Sequence, residues 1–124
     1  MPTRSVHAVD LKDDPAAIAT YVEYHQRVFP EVLASLRQAG IRELDIYLLG
    51  RRLVMIVETD GRDVGECFAK HRGSAAPRVI EWEALMKSLQ ERPPAGAPNE
   101  WWAAMRPVFR LADADDGSGG PARR

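Results

Sequence analysis

Residues 44–59, LDIYLLGRRLVMIVET, leave this chain few choices of fold. Two apolar runs, 44–49 and 53–59, flank Gly50-Arg51-Arg52, a short turn that reverses one strand into its antiparallel neighbour. Strand alternation places Leu44, Ile46 and Leu48 on one face, which reads as core. It places Asp45, Tyr47 and Leu49 on the other.

The rest of the chain adds strands and helices around this hairpin. Residues 5–9 alternate and predict a first strand. Asp13-Asp14-Pro15 is a helix start: a carboxylate can cap free N–H groups, and proline tolerates the first helical position. Ile18, Tyr21, Val22, His25 and Val28 then recur at helical steps until Pro30, which ends or kinks the run and opens a second segment over 31–38. Gly40 is the expected stop. Residues 61–71 predict a short helix, 73–77 a loop, and 79–90 an amphipathic helix carrying Ile80, Leu85 and Leu89. After the breaker-rich stretch 93–98, Asn99 is expected to cap a short helix holding Trp101, Trp102 and Met105. Residues 107–111 read as the last strand. The tail 113–124, DADDGSGGPARR, is expected to be disordered, leaving one domain over 1–112.

Strand, helix, strand, strand, helix, strand predicts an α+β, ferredoxin-like βαββαβ fold with helices on one sheet face. The other face would be bare, so a second copy of the chain or a ligand is expected to cover it.

Composition narrows the partner. The 124 residues carry 17 basic and 18 acidic side chains, so neither nucleic acid nor an anionic membrane is the expected partner. A neutral or small ligand fits better. A single cysteine, Cys67, fits a reducing compartment. No signal-peptide pattern and no run of ~20 apolar residues is visible, which points to the cytoplasm.

Few residues suggest chemistry. Tyr21 and His25 share a helix face, and an imidazole, with an unperturbed pKa of ~6.5, both gives and takes protons near neutrality. On spacing alone, packing at a helix edge is the commoner role for such a histidine. Trp101 and Trp102 would point ~100° apart on a helix, so one of them faces a pocket or an interface. Indoles make good platforms for sugar C–H faces, although core and seam packing would account for the pair equally well. Tyr47 and Glu58, on the two hairpin strands, are further candidates to bind a ligand; the solvated end of a strand is the commoner place for such a glutamate. Cys67 lacks an activating partner. His7, His25 and His71 lack ligand-like spacing, so no metal is expected. There is no phosphate loop, nucleophile elbow or dinucleotide fingerprint, so no cofactor is expected.

HAVDLKDDP, YVEYHQRVFPEV, GIRELDIYL, RRLVMIVE, NEWWAAM and PVFRL, in this order, resemble the L-rhamnose mutarotase family across residues 4–111. The resemblance implies a cofactor-free homodimer of the dimeric α/β-barrel type that interconverts the α and β anomers of a 6-deoxy-L-sugar. It implies His25 as the proton donor and Tyr21, Trp101 and Trp102 as substrate-binding residues. Leu44 stands where rhamnose-specific members carry a substrate-binding tyrosine, and the segment 72–98 is longer. Both departures bring L-fucose forward beside L-rhamnose as the substrate. Two rivals share the architecture or the tryptophans: a heme- or quinone-type monooxygenase, and a non-catalytic sugar-binding module.

Overall fold

The structure, a computed structural model, describes residues 3–97 and 100–113. Its central strand is β1 (Thr3–Leu11), antiparallel to β3 (Arg52–Thr59), which in turn pairs with the edge strand β2 (Ile41–Leu49). The expected hairpin is therefore present. Leu49 pairs with Arg52, so its loop is Gly50-Arg51. Gly50 has φ +62°, the positive φ that a type II′ turn requires at its first loop position.

The other edge of β1 departs from expectation. It is covered by two two-residue pieces, β4 (Gln90–Glu91) opposite Leu11 and Asp10, and β5 (Ala103–Ala104) opposite Ala8 and His7. Together they occupy the place of the fourth strand, giving the order β2-β3-β1-β4 of a ferredoxin-like sheet. Residues 107–110, expected in the last strand, adopt no regular structure, and Leu111–Asp113 forms one turn of 3₁₀ helix. Their apolar side chains find no sheet position: Val108 is 92% and Phe109 72% exposed. Asn99 and the tail from residue 114 lie outside the described residues.

Local chemistry sets the helix starts. In α1 (Pro15–Tyr24) the Asp14 carboxylate accepts from the Ala16 N–H at 3.0 Å, with proline at the first helical position. Proline opens α2 (Pro30–Gln38) and α4 (Pro77–Leu89) as well, and Asp63 caps α3 (Val64–Arg72). Along α4 the buried stripe is Val79, Trp82 and Met86, whereas Ile80 is exposed.

All four helices pack on one sheet face. Val9 and Leu53 join Tyr21, Val32, Trp82 and Met86 in the larger apolar cluster; Met55 and Val57 join Ile41 and Cys67 in the smaller. Leu44 and Ile46 lean on the smaller cluster as half-buried neighbours, and Leu48 stays exposed at the edge. Tyr47, Val54 and Ile56, of opposite parity, belong to neither cluster.

Candidate active site

Between the helices and the sheet lies a cavity of ≈ 1350 Å³, several times the volume of a monosaccharide. His7, Leu44 and Met55 form part of its sheet side. Tyr21 and His25 from α1, and Trp82 and Glu83 from α4, line it from the helices. Trp101 and Trp102 line it from the segment leading into β5.

His25 is the residue on which α1 stops. Its ring Nδ1 lies 2.8 Å from the Tyr21 carbonyl oxygen, one turn back. A carbonyl only accepts, so Nδ1 carries the proton, and Nε2 is left with the lone pair. The imidazole stacks on the Tyr21 phenol with centroids 4.3 Å apart, and meets Trp82 edge-on at 5.2 Å. Phe29, held extended before Pro30, closes on the far side of Trp82 at 5.0 Å, and the Arg78 guanidinium lies 3.5 Å over the Phe29 ring. Two aromatic contacts and one hydrogen bond thus hold the ring at the cavity wall.

This environment favours neutral groups. Burial lowers the His25 pKa below its ordinary 6.5, partly opposed by the bonded carbonyl. Burial likewise raises the Tyr21 pKa; the Gln90 side chain opposes that shift and the Glu83 charge adds to it. His7, bonded through Nε2 to Ser5 Oγ at 2.8 Å, is also lowered by burial, with Glu100 opposing. At neutral pH His25 therefore rests as an imidazole with an available Nε2.

Trp101 and Trp102 sit in a bend rather than in the expected helix, because the residues after them pair with β1. The Trp101 Nε1–H donates to Gln90 Oε1 at 2.7 Å, and Lys87 Nζ lies 5.0 Å from its ring centre. Trp102 packs against both apolar clusters. Both indoles are half-buried and reach the same cavity as His25, yet the indole that touches the histidine is Trp82. Sequence reasoning passed over Trp82 because it falls within the buried stripe of α4, where a large aromatic reads as core. The signal was its Glu83 neighbour, a carboxylate immediately beside a core position.

Two expected ligand contacts are not brought to this site. Tyr47 pairs with Val54, and Glu58 pairs with Arg4 and Glu43. All of these alternate away from Met55 and Val57, so Tyr47 and Glu58 lie on the sheet face opposite His25. Tyr47 is 60% exposed there. Cys67 is buried in the smaller cluster. His71, set aside on sequence grounds, lines the cavity and is hydrogen-bonded at both nitrogens.

Comparison with known proteins follows this geometry. The family model described as L-rhamnose mutarotase matches residues 4–111. The chain is 43% identical over 113 residues to an L-fucose mutarotase of Xanthomonas campestris, covering 90% of each chain. It is 28% identical over 113 residues to an L-rhamnose mutarotase of Acidiphilium cryptum, covering 90% of this chain and 86% of that one. Among solved structures, an L-rhamnose mutarotase from Formosa agariphila superposes with a TM-score of 0.60 at 19% identity, over 88% of this chain and 98% of that one. Tetracenomycin F2 cyclase from Streptomyces glaucescens shares the fold at a TM-score of 0.53 and 12% identity, over 87% and 95% of the two chains.

Proposed function

The chain belongs to the L-rhamnose mutarotase family, and from that premise we propose that it interconverts the α and β anomers of a 6-deoxy-L-sugar in the cavity beneath α1 and α4. Anomer exchange opens the pyranose ring and recloses it on the other carbonyl face. Opening removes the proton of the anomeric hydroxyl, breaks the bond from C1 to the ring oxygen, and delivers a proton to that oxygen. Closing reverses each event, so no group is lost and no nucleophile is needed.

His25 is the proton carrier in this reading. Supporting it is one observation: the imidazole has Nδ1 committed to a backbone carbonyl and Nε2 uncommitted, on the wall of a cavity large enough for the sugar. A neutral imidazole takes a proton first and returns it on closure. Proton transfer by such a group contributes ~10²–10⁴-fold. Tyr21 and Trp82 hold the imidazole in place, while Trp101 and Trp102 wall the sugar so that the open aldehyde turns without escaping.

L-fucose is the favoured substrate. The 43%-identical relative is an L-fucose mutarotase, and Leu44, at the position the family resemblance singles out, lines the cavity with an apolar side chain. L-fucose and L-rhamnose differ in the orientation of ring hydroxyls, which a missing hydrogen-bonding side chain discriminates.

The working form in this reading is a cytoplasmic homodimer. Leu49 is 84%, Val108 92% and Leu111 79% exposed, an apolar display that a second copy would cover. The one thiol is buried, and no helix among the described residues is long and apolar enough to cross a membrane.

Saturation-transfer NMR between the anomers of L-fucose and of L-rhamnose tests the proposal. The protein should accelerate exchange well above the buffer rate, for L-fucose most, and His25→Ala should lower kcat by ~10²–10⁴-fold while the protein stays folded. Exchange at the buffer rate with both sugars would reject mutarotation. Exchange by the alanine variant at the parent rate would reject His25.

A further inference from the structure

His71 has no nitrogen left for a ligand. It is 3% exposed at its side chain, with Ser35 Oγ 2.8 Å from Nδ1 and Glu83 Oε2 3.2 Å from Nε2. The three residues come from three different helices, α2, α3 and α4, so the tertiary fold builds this chain of bonds. It ends on Glu83, whose side chain is 40% exposed and lines the cavity one residue from Trp82. One carboxylate oxygen is thus pinned by a buried imidazole, and the other is free to meet a ligand. The Glu83 charge is felt at the Tyr21 phenol, on which the His25 ring is stacked. A buried, fully bonded histidine that holds a carboxylate at a cavity wall is an orienting device.

We propose that Glu83 is the second proton carrier of the anomer exchange, working with His25 across the sugar, and that His71, backed by Ser35, is its positioning residue. This rests on the mutarotase reading and deepens it. One proton shared by the pair suffices. His25 Nε2 takes the anomeric O1 proton as the bond from C1 to O5 breaks and C1=O1 forms, while protonated Glu83 gives its proton to O5. On closure Glu83 takes the O5 proton back, O5 attacks the other face of C1, and His25 returns its proton to O1. The form with the proton on His25 and the carboxylate free runs the same cycle with the roles exchanged, and holds the same number of protons.

A pair that must hold one proton is inactive when both members are protonated and when neither is, so kcat traces a bell against pH. Other charged or titratable groups lining the same cavity are His7 on β1, Tyr21 on α1, Arg37 on α2, Arg42, Glu43 and Asp45 on β2, Asp63 just before α3, His71 and Arg72 on α3, Lys87 on α4, and Glu100 ahead of β5. Of the carboxylates in this lining, Glu83 is the one carried within a helix.

The test compares Glu83→Gln, Glu83→Asp and His71→Asn with the parent protein by saturation-transfer NMR on L-fucose across pH. Glu83→Gln should lose ~10²-fold or more in kcat, keep KM within about threefold, and lose one limb of the bell. Glu83→Asp keeps the charge but withdraws the oxygen by one methylene, so it should be slow with both limbs retained. His71→Asn should lose about tenfold in kcat, and add nothing when combined with Glu83→Gln. A folded Glu83→Gln protein with parental kcat and a two-limbed profile overturns the inference, and so does Glu83→Asp at full rate if the glutamine variant does not fold. In either case a parent protein that exchanges L-fucose, and loses this with His25→Ala, leaves the mutarotase reading standing.

Discussion

The two faces of the β2–β3 hairpin have similar polar groups within reach and opposite prospects. The outer face presents Tyr47 and Glu58; the inner face looks across the cavity at Tyr21, His25 and Glu83. A phenol and a carboxylate are therefore available on both sides. The difference is cover. Four helices roof the inner face, and of the groups whose protonation burial moves there, His7, Tyr21 and His25 line the cavity while Cys67 is packed in the smaller cluster. Outside, Tyr47 stands largely in water. Residue type is thus a poor guide to chemistry in this fold, and enclosure is a good one: low dielectric and fixed partners make a proton carrier out of an ordinary imidazole.

The largest break in that contrast should come from removing the cover. Trp82 is 5% exposed and touches His25, Tyr24 and Phe29. Trp82→Ala should cost ~3–5 kcal/mol, a core aromatic truncation, and release the His25 ring. Chemical denaturation measures the first effect. The NMR shift of the His25 ring protons measures the second, since a freed imidazole titrates closer to 6.5, its ordinary value. A variant of parental stability whose imidazole titrates as before would show that Trp82 supplies no cover.

The contrast also explains what could be read without coordinates. Signals that act over a few residues were legible: Asp14-Pro15 and Pro30 start helices, Gly50 turns the hairpin, and alternation separates Leu44 and Ile46 from Tyr47. The fourth strand was not legible. It consists of two two-residue pieces, too short for any period, held only by pairing with β1. The run 107–110 is longer and carries Val108 and Phe109 yet has no sheet position, so local composition lost to tertiary pairing. The shared face of Tyr21 and His25 was visible from their four-residue spacing, and the roles expected of them came from the family resemblance. Trp82, Glu83 and His71 were not visible, because the distances that make them a unit cross three helices. The orientation of Glu58 was hidden for the same kind of reason: a carboxylate ending an apolar strand looks buried until pairing shows which way the strand faces.

A smaller effect sharpens the contrast through pH. Both His7 and His25 have folded-state pKa values below the ordinary 6.5, lowered chiefly by burial. Above that pH neither the folded nor the unfolded chain protonates these rings, and their contribution is constant. As pH falls below it, the unfolded chain takes up protons first, so the folded state is progressively disfavoured until the folded pKa values are passed. The Tm should therefore drop between about pH 7 and about pH 5, and the drop should shrink in the double variant His7→Gln, His25→Gln. A double variant whose Tm falls as steeply as the parent's would mean that the covered face does not hold these imidazoles neutral.

The smallest expected effect is none, and it tests the outer face directly. Tyr47→Phe and Glu58→Gln each remove one polar function with little change of shape. Both sites lie across the sheet from His25, separated from the cavity by the strand backbones and the inward set of Met55 and Val57. A group that cannot reach the sugar cannot bind or protonate it, so kcat and KM for L-fucose exchange should stay within about twofold, the scatter expected of surface substitutions within ±0.5 kcal/mol. A tenfold rise in KM for either variant would place an outer side chain against the substrate. In a single chain no path through the sheet allows that contact. Such a result would therefore mean that a second copy brings the outer face of one chain to the cavity of the other, and that cover in this protein is shared between two molecules.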